Sequence, residues 1–131
     1  MGNVKLLNEL SGQVIDSAVA VHREVGPGLL ESVYEVLLAH ELRERGLVVE
    51  RQKVVPIEYR GIRFDEGYRL DLMIESMVIV EIKSIESLQP VHSKQLLTYL
   101  RLTECPLGLL LNFNTNLTKE GIVRLANNAP E

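Results

Sequence analysis

The sequence predicts a single α+β domain, an α/β sandwich in which helices cover one β-sheet, and three observations support this prediction. Apolar residues recur every three or four positions early in the chain, as they do in amphipathic helices. Segments rich in valine, isoleucine and tyrosine follow, as is typical of β-strands. One more helical segment then precedes an almost wholly apolar run. No repeat or linker divides residues 1–131, so we expect one domain with one core.

Two helices are predicted before the strands. Residues 5–24 have the apolar spacing of a first helix, and the Gly-Pro-Gly segment at 26–28 ends it. A second helix is predicted over residues 30–45, because its apolar residues form one buried stripe. Gly46 is its expected stop signal.

Three strands are predicted to follow as an antiparallel meander. The first covers residues 48–59, and Arg60-Gly61 is the turn after it. The second begins at residues 62–65 and continues over 67–75, and the third covers residues 78–83. The runs between these segments are short, as consecutive antiparallel strands require.

The last third of the chain is predicted to return to the sheet. Pro90 precedes a helix over residues 91–102, which carries Leu96, Leu97 and Leu100. Residues 107–112 are almost wholly apolar, which indicates a central strand covered on both faces. We expect a short final helix over residues 119–126.

Composition and charge limit the function classes. Hydrophobic residues make up 46% of the chain and charged residues 24%, as in soluble globular proteins, and the apolar runs are too short to cross a bilayer. The single cysteine, Cys105, excludes an internal disulfide and fits a reducing compartment, so we expect a cytoplasmic protein with no membrane partner. The net charge of −4 disfavours a nucleic-acid partner unless bound cations offset some of the acids.

An acid pair and a lysine lie in apolar, strand-like surroundings. Asp71 belongs to one predicted strand, while Glu81 and Lys83 belong to the next, where they point to the same side. Buried carboxylates on neighbouring strands need a cation, and these two with the Ile82 carbonyl are the oxygen ligands that Mg²⁺ or Mn²⁺ prefers. Lys83 is suited to stabilising charge on a phosphate or holding an attacking water. The simpler alternative is a salt bridge between Lys83 and either acid.

Two helical groups are further candidates. Glu31 and Glu35 are like charges four residues apart, so the helix N-terminus, a basic partner or a metal must compensate them. Glu31 is therefore either a carboxylate favoured by the helix dipole or part of a site, whereas we expect Glu35 on a solvated face. Gln95 and Tyr99 project together from the later helix, either as its surface or as a pair that orients a water or phosphate. The lone His22 is expected to be structural.

Four short segments resemble a known family. Residues 28–34 (GLLESVY) fit the GxxExxY pattern, and the chain resembles the GxxExxY protein family from end to end. That family is similar to a compact branch of the PD-(D/E)XK nuclease superfamily. Residues 68–72 (YRLDL) and 80–83 (VEIK) match its acid and lysine motifs, although leucine rather than proline precedes the aspartate. Residues 95–99 (QLLTY) fit the QxxxY element of RecB-type nucleases.

The resemblance implies a fold and a set of roles. The fold would be a restriction-endonuclease-like core of helix, three-strand meander, helix and strand, with an additional helix at each end. Carried over by position, the metal ligands would be Asp71, Glu81, the Ile82 carbonyl and Glu31; the catalytic set would be Asp71, Glu81, Lys83, Gln95 and Tyr99. His22 corresponds loosely to a histidine that some RecB-type nucleases add.

The leading hypothesis is therefore a Mg²⁺- or Mn²⁺-dependent nuclease that hydrolyses phosphodiester bonds in DNA. A chain this small leaves little for sequence recognition, so a homodimer or a partner protein would supply target choice. The alternatives are a catalytically silent nucleic-acid- or protein-binding module on the same fold, and a small structural dimer. The basic residues available for phosphates are Arg51, Lys53, Arg60, Arg63, Arg69, Lys94 and Arg101.

Overall fold

Eight helices and strands make up the part of the chain that the computed structural model describes, residues 3–117 and 120–127. In chain order they are α1 (Asn3–Val25), α2 (Glu31–Glu44), β1 (Val49–Tyr59), β2 (Ile62–Ile74), β3 (Val78–Lys83), α3 (Pro90–Thr103), β4 (Leu107–Asn112) and β5 (Ile122–Ala126). This order confirms the predicted α+β class. None of the described helices has the length and apolarity that a membrane crossing requires.

The strands form one sheet in the order β1-β2-β3-β4-β5. The first three are antiparallel neighbours, which is the predicted meander. β4 runs parallel to β3, because the α3 crossover returns the chain to the same end of the sheet before β4 begins. β5 then pairs antiparallel with β4 along the far edge.

Helices cover both faces of the sheet and divide the interior into two parts. On one face α1 and α2 bury Val14, Leu38 and Ile74 in what we call the α2-side core. On the opposite face α3 packs Leu96 and Leu100 into the α3-side core. All six residues of β4 are buried, which explains why that segment is apolar without alternation.

The turns of the meander use left-handed backbone conformations. Arg60 and Gly61 have φ angles of 51° and 79°, so they form the two-residue type I′ turn that suits the twist of a β-hairpin. Glu75 and Ser76, with φ angles of 53° and 55°, make the tight connection from β2 to β3. Both turns lie where the sequence predicts them, and β2 is one continuous strand.

The predicted final helix is wrong. Residue 119 lies outside the described residues, and Ile122–Ala126 is the strand β5. Leu111, Leu109 and Leu107 of β4 pair with Ile122, Arg124 and Ala126, so β5 covers an edge that would otherwise leave backbone groups unpaired. A five-residue segment obtains no comparable set of bonds as an isolated helix.

Candidate active site

The candidate site begins where β2 and β3 separate. Their ladder ends at the pair Leu72 and Val80. One residue further, the Asp71 backbone N–H donates to Glu81 Oε2 at 2.9 Å, and the Ile82 N–H donates to Asp71 Oδ2 at 2.8 Å. Each carboxylate thus replaces a backbone carbonyl of the neighbouring strand. The two acids therefore lie in a gap between the strands, which we call the β2–β3 gap.

A paired irregularity in β1 and β2 opens this gap. Leu70 packs in the α3-side core and Leu72 in the α2-side core, although residues two apart on a regular strand share a face. β2 therefore changes face across Asp71. On β1 the ladder skips Gln52, opposite Asp71, and Gln52 has a φ angle of 52°. These local distortions direct the Asp71 carboxylate sideways, towards β3.

Burial and repulsion dominate the electrostatics of the gap. Glu81 is 6% exposed, and burial together with the charge of Asp71 raises its pKa to about 8. Burial also raises the pKa of Asp71, with a smaller contribution from Glu35. The backbone N–H donors and Lys83 act in the opposite direction without cancelling these effects. The positive charge near the two acids is therefore too small to offset their burial and mutual repulsion.

Lys83 is the last residue of β3, two positions after Glu81. Its charge favours the ionised forms of both Asp71 and Glu81, although the side chain remains half-buried. Its backbone carbonyl accepts the Phe113 N–H at 2.9 Å. His22 contacts the other backbone polar group of Phe113: its Nε2 is 3.1 Å from the Phe113 carbonyl oxygen, to which it donates because a carbonyl only accepts.

The GxxExxY segment anchors the start of α2. The carboxylate of Glu31 accepts the Ser84 N–H at 3.0 Å, and the Ser84 hydroxyl donates to the Leu29 carbonyl at 3.0 Å. The buried Tyr34 hydroxyl donates to the Gly26 carbonyl at 2.5 Å and accepts the Leu29 N–H at 3.2 Å. Glu31 is therefore joined to the residue that follows Lys83, while Tyr34 holds the turn before the helix.

Helix α3 places Tyr99 on the side that faces the sheet and Gln95 on its exposed rim. Tyr99 is 5% exposed, and its ring centroid lies 5.0 Å from that of Tyr68. Burial raises the pKa of Tyr99 to about 12, with further contributions from Glu81, Tyr68 and Asp71. Gln95, one turn earlier, is exposed. Tyr99 therefore lies close enough to Glu81 and Asp71 for their charges to affect its pKa.

Glu35 is the residue that sequence reasoning missed. It was expected on a solvated face, but it is 5% exposed. Arg51 Nε donates to its carboxylate at 3.0 Å, and Gln52 Nε2 donates at 2.6 Å. Arg51, expected among the phosphate contacts, is thus paired within the protein. The only available signal was the like-charge spacing to Glu31, which does not reveal partners on a distant strand.

The donor chemistry of the gap fits a hard divalent cation. Asp71, Glu81 and the Ile82 carbonyl offer oxygen atoms of the kind that Mg²⁺ and Mn²⁺ prefer, and a cation would offset the burial and repulsion that raise the pKa values of the two acids. Across the described ranges, no three His, Cys, Asp or Glu residues form a metal-binding cluster. The fit therefore rests on two carboxylates and a carbonyl.

The architecture of fold and site defines a class. A mixed sheet flanked by helices, with acids at a gap between meander strands and a lysine beside them, is consistent with a restriction-endonuclease-like fold. A family model for the PD-(D/E)XK nuclease superfamily matches residues 8–125. The chain belongs to this superfamily. No curated protein and no solved structure matches it.

Proposed function

We propose that the protein is a Mg²⁺- or Mn²⁺-dependent nuclease that hydrolyses phosphodiester bonds in DNA. The observation that carries this proposal is the pair of buried acids in the β2–β3 gap, next to Lys83. Nearby positive charge does not offset the cost of burying them. Membership of a nuclease superfamily supports it. The matches to the GxxExxY and QxxxY patterns lead us to place the chain in a compact, RecB-like branch of that superfamily.

The carboxylates of Asp71 and Glu81 and the carbonyl of Ile82 would hold the cation, and Glu31 would support them from the start of α2. When bound, the cation offsets the two buried charges and polarises a phosphoryl oxygen. Asp71 and Glu81 are held by backbone N–H groups, so their oxygens need little reorganisation. The site is thus largely preformed.

The remaining residues act on substrate and water. Lys83 would stabilise the charge that develops on phosphate or hold the attacking water, since its half-buried ammonium already interacts with both acids. Gln95 would contact a phosphate or a water from the exposed rim of α3. Tyr99 would close the inner wall of the site. We further propose a cytoplasmic location, with a homodimer or a partner protein supplying target choice.

Cleavage assays test the activity. Wild-type protein with Mn²⁺ should nick supercoiled or degrade single-stranded DNA, and Lys83→Ala should lose about 10²–10³-fold in rate. Lys5→Ala is the matched control, because Lys5 is exposed on α1. Equal cleavage by wild type and Lys83→Ala would indicate a contaminating nuclease and contradict the proposal. An RNA substrate assayed in parallel tests the preference for DNA.

Calorimetric titration with Mn²⁺ tests the cation site separately. We expect wild type to bind Mn²⁺ and Asp71→Ala to lose measurable binding, because half of the carboxylate pair is removed. Asp16→Ala, which removes an exposed acid of α1, should bind as wild type does. Cation binding without cleavage of any nucleic acid would favour the silent binding module over the nuclease.

A further inference from the structure

A cluster around the buried carboxylate of Glu35 lies on the α2 side of the β2–β3 gap and is not part of the proposed reaction. Glu35 of α2 accepts hydrogen bonds from Arg51 and Gln52, two consecutive residues of β1. The Glu35 side chain is 6% exposed and that of Arg51 is 38% exposed, so the pair is shielded at one end. We call these three residues the Glu35 cluster. A buried carboxylate with this many donors is a strong local restraint.

The cluster holds the backbone distortion opposite Asp71. Gln52 has a φ angle of 52° within a strand, a conformation that costs about 1 kcal/mol or more for a residue other than glycine. Its side-chain amide donates to Glu35 at 2.6 Å, and this hydrogen bond stabilises the left-handed conformation. Without that bond, a regular β conformation at Gln52 would be favoured.

The distortion of β1 is coupled to that of β2. The pairs on either side of Gln52 and Asp71 remain in register, so both strands must change face at the same level. Asp71 reaches the Ile82 N–H only because β2 turns there. Regularising β1 would therefore force β2 towards a regular ladder and move the Asp71 carboxylate away from β3.

We infer that Glu35 is a positioning residue for Asp71: by holding Arg51 and Gln52 it maintains the paired distortion that directs the Asp71 carboxylate into the β2–β3 gap. This inference deepens the proposed function, because it names what sets the geometry of the cation site. Its structural part is independent of any reaction. Glu35 itself is bonded to β1 rather than to the substrate or cation.

Amide hydrogen exchange of the metal-free protein tests the positioning. In wild type the Ile82 amide should be protected, since it donates to Asp71. In Glu35→Gln and in Gln52→Ala, we expect it to exchange at least tenfold faster relative to the Val80 amide of the same variant. Val80 is the reference because it lies two residues earlier on β3 and belongs to the regular ladder.

Two variants separate positioning from general destabilisation. Gln52→Ala lacks the amide but keeps the cost of the positive φ angle, so its backbone should relax towards a regular strand with no change of charge. Glu50→Gln is the control, because it breaks an exposed pair with Lys53 on the same strand. Unchanged Ile82 protection in both test variants, or equal acceleration of Ile82 and Val80, would overturn the inference.

Mn²⁺ titration of the same variants links the inference to the site. Glu35→Gln should bind Mn²⁺ at least tenfold more weakly than wild type, because Asp71 is misplaced and Arg51 loses its counter-charge. Gln52→Ala should also weaken binding, although it changes no charge. A wild type that fails to bind Mn²⁺ would overturn the proposed cation site, whereas the exchange ratios would still decide the role of Glu35.

Discussion

The two ends of the β2–β3 pair differ although they share the same two strands. At one end Leu72, Met73 and Ile74 pair with β3 in a regular ladder of buried apolar residues. At the other end Asp71 and Glu81 replace the ladder with bonds from carboxylates to backbone N–H groups. The regular end buries hydrocarbon, and the open end buries two ionisable groups.

The regular end of the strand pair therefore contributes to stability, whereas the open end holds the groups suited to chemistry. Apolar burial in a ladder stabilises the fold in proportion to the area removed from water. Buried carboxylates cost free energy unless a cation or a proton compensates them. The open end is therefore retained against stability, which is typical of functional sites. The regular end supplies the rigid support that such a site requires.

The largest expected effect breaks the regular end. Leu72→Ala should lower the free energy of unfolding by about 2–5 kcal/mol, because it leaves a cavity at a fully buried position. Leu102→Ala is the matched control, since Leu102 of α3 is 44% exposed, and its effect should stay within about 0.5 kcal/mol. Urea unfolding measures both. Comparable losses in the two variants would contradict the assigned burial.

An intermediate effect of opposite sign is expected at the open end. The folded-state pKa of Glu81 is about 8, above its ordinary value of 4.5, so the folded protein keeps a proton that the unfolded chain loses. This stabilising contribution is complete below pH 4.5 and is lost as the pH rises to about 8. Glu81→Gln cannot lose a proton there, so at pH 8 without metal it should be more stable than wild type, on the order of 2 kcal/mol.

Unfolding of both proteins across this pH range measures the difference. Glu50→Gln, on the exposed surface of β1, should show no such gain. A constant difference between wild type and Glu81→Gln from pH 4 to pH 9 would show that the carboxyl is not held in its protonated form. Mn²⁺ should reduce the advantage of Glu81→Gln, because it stabilises only the protein that retains both carboxylates.

The smallest expected effect is on the pKa of Tyr99, which the charges at the open end help to raise. Ultraviolet titration of the four tyrosines should show a late ionisation near pH 12, which Tyr99→Phe removes and Tyr59→Phe retains. Glu81→Gln should move this step to lower pH, because the Glu81 charge contributes to the raised pKa. An unmoved step would place Tyr99 outside the influence of the acids. Stability should change by less than about 1 kcal/mol in Tyr99→Phe.

The predictable parts of the fold are those in which sequence pattern and burial agree. The bounds of β3 and β4 were predicted to the residue, because continuous apolar runs are expected of strands covered on both faces. β5 was wrongly predicted as a helix. The prediction failed because the conformation of this segment depends on the free edge of β4 rather than on its own residues. Local pattern therefore succeeds for the centre of the sheet and fails at its edge.

The amino-acid order alone indicates the parts of the site: two acids and a lysine on adjacent strands, a glutamate at the start of a helix, and a Gln-Tyr pair on a later one. It does not show that Glu35 is buried, that Gln52 has a left-handed conformation, or that β2 changes face at Asp71. These features arise from contacts between residues far apart in the chain. Only the packed sheet brings the carboxylates into one gap and removes the water that would otherwise keep their pKa values low.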